Sequence, residues 1–277
     1  MIDNRTVLAI GAHPDDIEFM MGGTLVLLTQ AGYHVHYMNL ANGSCGTAEL
    51  SREKITKIRT EEARKAADFI LAAYHPPLVN DIEIQYEKKL LAQVAAVIRV
   101  VSPGILLVPS PEDYMEDHST TSRLAVTAAF CRGMRNFVTI PKTPPIEGDM
   151  TVYHGMPYGL HDGMRRKIFP GLYVNITSVI DNKREMLAMH RSQKEWLDTS
   201  QGQDSYLRTM EDMSREVGRM SRKFKFAEGW RRHNHLGLSA EDKDPLATAL
   251  RTNLKVNRRY EWNLGHPLRR QRSPRQS

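Results

Sequence analysis

The sequence predicts a doubly wound α/β domain, a mainly parallel sheet with helices on both faces, on three observations. Residues 5–11 and 104–109 are short apolar runs bounded by glycine, proline and polar clusters, and they read as strands buried on both faces. Strand patterns alternate with helical patterns, which implies right-handed crossovers and a parallel sheet. Two stretches dense in His, Asp and Glu each follow a buried strand and precede a helix, so both open at the sheet edge where such folds bind ligands.

In chain order, residues 16–30 carry helical spacing, with Pro14 fitting the first turn. Residues 34–40 alternate as a second strand and run into a turn-rich loop at 41–47. His34 and His36 share one strand face, where packing is the expected fate. Residues 51–73 form a long helical pattern carrying Arg59, Glu61, Glu62 and Arg64, most of them expected on a solvated face. A short apolar piece at 82–84 precedes a helix at 87–101, and the second dense stretch leads into a helix at 119–135. Residues 139–150, rich in proline and glycine, read as a surface loop; 172–176 reads as a strand, and 178–192 and 203–221 as helices. Trp196, Trp230 and the run from Arg231 to His235 default to core packing and a solvated face.

With 277 residues, 41% of them apolar, the chain is long enough for one substantial domain. Its two cysteines, Cys45 and Cys131, form no Cys-x-x-Cys pair and no disulfide framework, which fits a reducing cytoplasm. The first strand begins within a few residues, with no basic-then-apolar leader, and no apolar run reaches the roughly 18 residues of a membrane span, so a soluble protein is expected. The net charge of +6 is uneven: residues 240–277 hold nine Lys/Arg against four Asp/Glu, leaving residues 1–239 nearly neutral. The expected organisation is one domain at 1–239 with a basic extension at 240–277. That extension is read as solvated or embracing a second subunit of a homo-oligomer; nucleic acid is not the expected partner. No internal repeat and no glycine-rich phosphate cradle is present.

The first dense stretch is Ile10-Gly11-Ala12-His13-Pro14-Asp15-Asp16-Ile17-Glu18. His13 and Asp16 stand three apart across a tight turn, so an imidazole nitrogen and a carboxylate oxygen can converge on one divalent cation, with Asp15 facing its water. The plainer alternative makes both aspartates helix-capping carboxylates and His13 an ordinary loop residue. The second stretch is Ser110-Pro111-Glu112-Asp113-Tyr114-Met115-Glu116-Asp117-His118, and its place at the same sheet edge makes His118 a third candidate ligand.

Here the sequence resembles the N-acetylglucosaminyl-phosphatidylinositol and LmbE-like metal-dependent deacetylases. Ala12 to Asp16, with Glu18 and Gly22-Gly23-Thr24, is similar to the family's first motif, and Asp113 to His118 to its second. Arg59, Glu62 and Ala66 resemble a helical segment between them; Ser192-Gln193 and Phe226-Ala227-Glu228 also look related. The resemblance implies a Rossmann-like fold, a catalytic zinc or other divalent metal on His13, Asp16 and His118, and Asp15 as general base. It further implies hydrolysis of an N-acyl amide, acetyl foremost, on an amino sugar or related small molecule, with the cation polarising the amide carbonyl and acidifying water. Arg59 matches a substrate-contacting position, although its helical setting suits a structural ion pair equally well.

One position departs from the pattern. The second motif usually has a histidine where this chain has Met115, expected to donate a hydrogen bond to the tetrahedral oxyanion while oriented by the aspartate that is here Asp117. A thioether cannot donate. Either the metal alone carries that charge or a donor comes from elsewhere, with His154 and His161 as candidates; Asp117 also suits an orienting role on a ligand or a helix cap. The alternative of another class is a non-catalytic relative that binds metal or ligand and uses its basic tail to hold a partner.

Overall fold

The computed structural model describes residues 3–194 and 205–266. Within them, β1 (Asp3–Gly11) leads through the first motif into α1 (Asp16–Met20) and α2 (Gly22–Gln30). There follow β2 (His34–Asn39), α3 (Arg52–Phe69), β3 (Ala73–His75), α4 (Lys88–Val101), β4 (Pro103–Val108) and α5 (Glu116–Phe130). The remainder comprises β5 (Thr151–Gly155), β6 (Leu172–Asn175), α6 (Ile180–Ala188), α7 (Ser205–Ser221), β7 (Ala227–Arg232), α8 (Pro245–Leu250), β8 (Leu254–Val256) and α9 (Arg258–Gly265).

The strands make one sheet in the order β3-β2-β1-β4-β5-β7-β6-β8. The pairings from β3 through β5 are parallel, as expected from strands joined by helices. Those of β7 with β5, β6 with β7 and β8 with β6 are antiparallel, so the sheet is parallel only in its first part. Alternate residues of each strand enter opposite cores: Val7, Ala9, Ile105 and Leu107 pack on one face with Tyr153 and Trp230, while Leu8, Ile10, Leu106 and Val108 pack on the other. The strand order reverses between β1 and β4, and both motifs leave the carboxyl ends of these two neighbouring strands.

Two expectations are corrected. The helix foreseen at 16–30 is broken at Met21, because the first turn of α2 is capped by a buried carboxylate: the Gly23 and Thr24 amides donate to Glu228 at 2.8 and 2.7 Å. Glu228 in turn accepts from Lys183 Nζ at 2.6 Å, so the carboxylate carries a counter-charge as well as two amides. Gly23 is required there, since a Cβ would lie 2.7 Å from Ile176. The second correction concerns the boundary at 239/240. Leu246 and Leu250 of α8 are buried in the core, Tyr153 donates to Asp244 at 2.6 Å, and β8 extends the sheet, so residues 244–256 are part of the domain. The arginine-rich end at 267–277 lies outside the described residues.

Of the two strand-face histidines, His36 packs as expected, its Nδ1 lying 2.9 Å from His75 Nε2, whereas His34 is exposed. Trp230 is wholly buried and donates to Thr24 Oγ1, whereas Trp196 lies outside the described residues. No helix among the described residues is long and apolar enough to cross a membrane.

Candidate active site

The turn after β1 folds back on itself because Asp16 Oδ2 accepts the backbone N–H of Ala12 and of His13 at 3.0 and 2.8 Å. This fixes the Asp16 carboxylate beside the His13 ring, whose Nδ1 is 3.7 Å from the same oxygen. The loop after β4 brings in His118, whose Nε2 lies 3.3 Å from Asp16 Oδ1 but makes no hydrogen bond. His13, Asp16 and His118 thus offer ligand atoms all within 4.8 Å of one another. Atoms held at zinc-ligand distances of about 2.1 Å in a tetrahedron stand roughly 3.4 Å apart, so the cluster fits a small dication. A buried imidazole nitrogen that faces a carboxylate oxygen without bonding to it points with it to a shared third atom.

Each imidazole is backed by a carboxylate on its other nitrogen. His13 Nε2 is 2.9 Å from Asp117 Oδ2, which also accepts the Ile82 amide at 2.8 Å; His118 Nδ1 is 3.2 Å from Asp113 Oδ2. Such pairs fix the ring orientation and the tautomer that presents the opposite nitrogen. Burial opposes charge on His118, but Asp16 and Asp113 outweigh it and push its pKa up to about 11. For Asp16, burial is likewise overcome, here by the two imidazoles and the His13 amide, which hold it well below the usual carboxylate range. Metal binding at this cluster would therefore release a proton from His118.

Asp15 caps α1 with φ at +105°, a left-handed conformation that Asp and Asn tolerate better than most residues. Its carboxylate meets Tyr206, whose hydroxyl donates to Oδ2 at 2.7 Å, and Arg59, whose Nη2 is 3.4 Å from the same oxygen. Burial, supported by neighbouring Asp16, raises the Asp15 pKa against the opposing pull of Arg59. Arg59 is itself buried, donates to the Pro14 carbonyl, and is enclosed by the loop at Gly43 and Gly46. Below it, Glu18 accepts from Tyr37 at 2.8 Å and faces fully buried His190 at 3.1 Å.

His13, Asp15, Asp16, Arg59, Asp113, His118 and Tyr206 line one cavity of about 410 Å³, a size suited to a small-molecule ligand. Its walls also include Phe19, Tyr114, Met115, Met156, Tyr158 and Gln193.

The model of the PIG-L family, GlcNAc-PI de-N-acetylase, matches residues 8–129. The chain is 30% identical over 197 residues to diacetylchitobiose deacetylase of Thermococcus kodakarensis, spanning 69% of this chain and 71% of that protein. The chain belongs to the PIG-L (LmbE-like) de-N-acetylase family. It is also 29% identical over 190 residues to 4-oxalmesaconate hydratase of Pseudomonas putida, spanning 65% of this chain and 70% of the relative. The fold matches that of N,N'-diacetylchitobiose deacetylase from Pyrococcus horikoshii at a TM-score of 0.71 and 22% identity, over 88% of this chain and 89% of that one. As a member of this family of metal-dependent deacetylases the chain is an enzyme of the amide-hydrolysing class.

Against the family pattern, the structure brings together His13, Asp15, Asp16, Arg59, Met115 and His118 around the cavity. It does not bring His154 or His161. His154 is buried in β5, with Nδ1 on Ser122 and the Pro109 carbonyl and Nε2 on His233, while exposed His161 bonds back to the Gly159 carbonyl. Neither lines the cavity, so neither replaces the histidine absent at Met115. Asp117 is committed to His13 and the Ile82 amide rather than to position 115. Arg59 and Glu62 are buried instead of solvated; Glu62 accepts from the Ser192 amide and hydroxyl. Tyr206, Glu18 with His190, and the role of Asp113 were not foreseen. The spacing of Asp113 five residues before His118 is the one local signal for any of them.

Proposed function

We propose that this enzyme hydrolyses the N-acetyl amide of an amino sugar or closely related small molecule, with zinc as the working metal and Asp15 as the proton carrier. The observation that carries the reading is the adjacency, in one cavity, of the His13–Asp16–His118 cluster and a second carboxylate, Asp15, held by Tyr206 and Arg59. A dication on these three side chains supplies a Lewis acid, acidifying water and polarising an amide carbonyl.

The chain's own residues do the rest. Asp113 and Asp117 orient the two imidazoles so that Nε2 of His118 and Nδ1 of His13 face Asp16. Asp15, its pKa raised by burial, takes a proton from the attacking water and delivers it to the departing amine, which needs a group able to hold a proton transiently. Tyr206 and Arg59 both engage Oδ2, and we assign the proton transfer to Oδ1. Met115, a thioether, offers no hydrogen bond to a developing oxyanion, so a dication held by His13, Asp16 and His118 would have to supply that stabilisation.

The likeness to a hydratase gives a second reading, addition of water to an unsaturated carboxylate at the same site. Acetate release from N-acetylglucosamine and its oligomers by the zinc-loaded protein tests the first. Absence of acetate together with bleaching of a conjugated unsaturated dicarboxylate would establish the second instead.

A further inference from the structure

We infer that the cavity selects uncharged N-acyl saccharides and discriminates against substrates that carry a phosphate or carboxylate close to the scissile amide; this rests on the deacetylase reading of the same site. Two independent features of the walls lead there. One is a continuous arc of aromatic rings. Tyr114 meets His118 edge-on at a centroid separation of 6.2 Å, Tyr158 lies 6.1 Å from Tyr114, Phe19 lies 5.2 Å from Tyr158, and Tyr206 lies 5.7 Å from Phe19. The arc starts on a ligand-bearing imidazole and ends at the hydroxyl that grips Asp15, so a molecule presenting its amide to both must lie along it. Tyr114 and Tyr158 are 56% and 41% exposed, which leaves ring surface open to a ligand. Aromatic faces accept the C–H face of a pyranose and demand no charge from it.

The second feature is electrostatic. Among the described residues the cavity is walled by Asp15, Asp16, Asp81 and Asp113, against Arg59 as the sole Lys or Arg side chain. Arg59 is engaged by Asp15 and the Pro14 carbonyl, and the nearby Arg231, beside Ser110, is tied to Glu112 and Ser110. A dication on His13, Asp16 and His118 offsets two of the four carboxylate charges and is occupied by the amide being cleaved. An anionic substituent would thus enter a negative cavity in which, among the described residues, no Lys or Arg side chain other than the already engaged Arg59 lines the wall, in a setting where charge interactions are screened less than in water.

The test compares four substrates of the zinc-loaded enzyme at constant ionic strength: the methyl β-glycoside of N-acetylglucosamine, N,N'-diacetylchitobiose, and N-acetylglucosamine 1-phosphate and 6-phosphate. Expected is a kcat/KM for the neutral pair at least about 10-fold above that for the phosphates. Tyr158→Arg, which places a cation in the arc, is expected to narrow that ratio, and Tyr158→Ala to raise KM for the disaccharide more than for the monosaccharide. Acetate release from the phosphates with equal or greater efficiency overturns the inference and leaves deacetylation standing. No acetate from any of the four overturns the deacetylase reading, and the inference with it. If the Tyr158 variants do not fold, the ratio in the unaltered enzyme still decides.

Discussion

Strands β1 and β4, the loops that leave their carboxyl ends and the first turns of α1 and α5 supply His13, Asp15, Asp16, Asp113, Asp117 and His118, whereas the chain after β5, apart from the cavity-wall residues Met156, Tyr158 and Gln193, supplies residues that hold those segments. Tyr206 from α7 grips Asp15, Glu228 from β7 caps α2, Lys183 from α6 neutralises Glu228, and Ser192 binds Glu62 on the far side of Arg59. The contrast teaches that the two parts of the chain are under different demands. The first must present particular atoms to a ligand, and its residues are fixed by chemistry. The second, its few cavity-wall residues aside, need only press those atoms into place.

Substitutions on the two sides should therefore differ in kind. The largest effect is expected for Asp15→Asn, which loses roughly 10²- to 10⁴-fold in turnover because an amide cannot accept a proton near neutral pH. Asparagine tolerates the left-handed backbone at this position, so the variant should fold with its zinc content unchanged, its melting temperature lowered by the loss of the charge that faces Arg59. A metal-free but folded variant would make Asp15 a ligand and reverse the roles of the two aspartates. On the supporting side, Lys183→Met leaves the buried Glu228 carboxylate without its cation, with an expected cost of about 3–5 kcal/mol. Thermal unfolding should shift down while zinc stoichiometry at low temperature stays at one per chain; loss of zinc there would erase the distinction between the two parts.

Tyr206→Phe lies on the border. It removes one hydrogen bond to a charged group, worth about 1.5–3 kcal/mol, so the melting temperature should fall by several degrees and kcat by roughly 10- to 100-fold, with little change in KM. A change confined to KM would make Tyr206 a substrate contact. The smallest effect is expected for Met115→His. A well-placed oxyanion donor is worth up to about 10²-fold or more, but Asp117 already serves His13, so the new imidazole lacks an orienting partner and the gain in kcat should stay within about 10-fold. A larger gain would show that Asp117 can serve both rings.

The same division explains what could be read beforehand. Most strand and helix patterns in residues 5–130 were legible because β1 and β4 are apolar runs, β2 alternates and each crossover helix has its own spacing; β3 was not, since Ala73-Tyr74-His75 is too short to show a pattern and follows directly on the helix foreseen at 51–73. The cluster His13, Asp16 and His118 was legible because each motif is local and both sit after buried strands. Strands β5 and β7 were not: Thr151–Gly155 carries a histidine, and Ala227–Arg232 carries Glu228 and two arginines, polar groups whose partners come from far away in sequence. Arg59 and Glu62 looked solvated for the same reason, since their partners are a backbone carbonyl and carboxylate 44 to 45 residues away and a serine 130 residues away. A helix pattern identifies a buried charge only when the counter-group lies on the same helix.

The cap of α2 by Glu228 closes a span of 205 residues between the Gly23 amide and its acceptor. Contacts of such sequence separation form late, because the intervening chain must be ordered before they can be made. During synthesis the first motif leaves the ribosome long before the residue that fixes the start of its second helix, and α8, which seals the adjoining core with Leu246 and Leu250, follows later still. The turn that carries His13 and Asp16 is thus among the first segments made, and the helix start beside it is among the last to be locked. Until then a nascent chain can carry His13 and Asp16 yet lack the framework that holds them at a single ion.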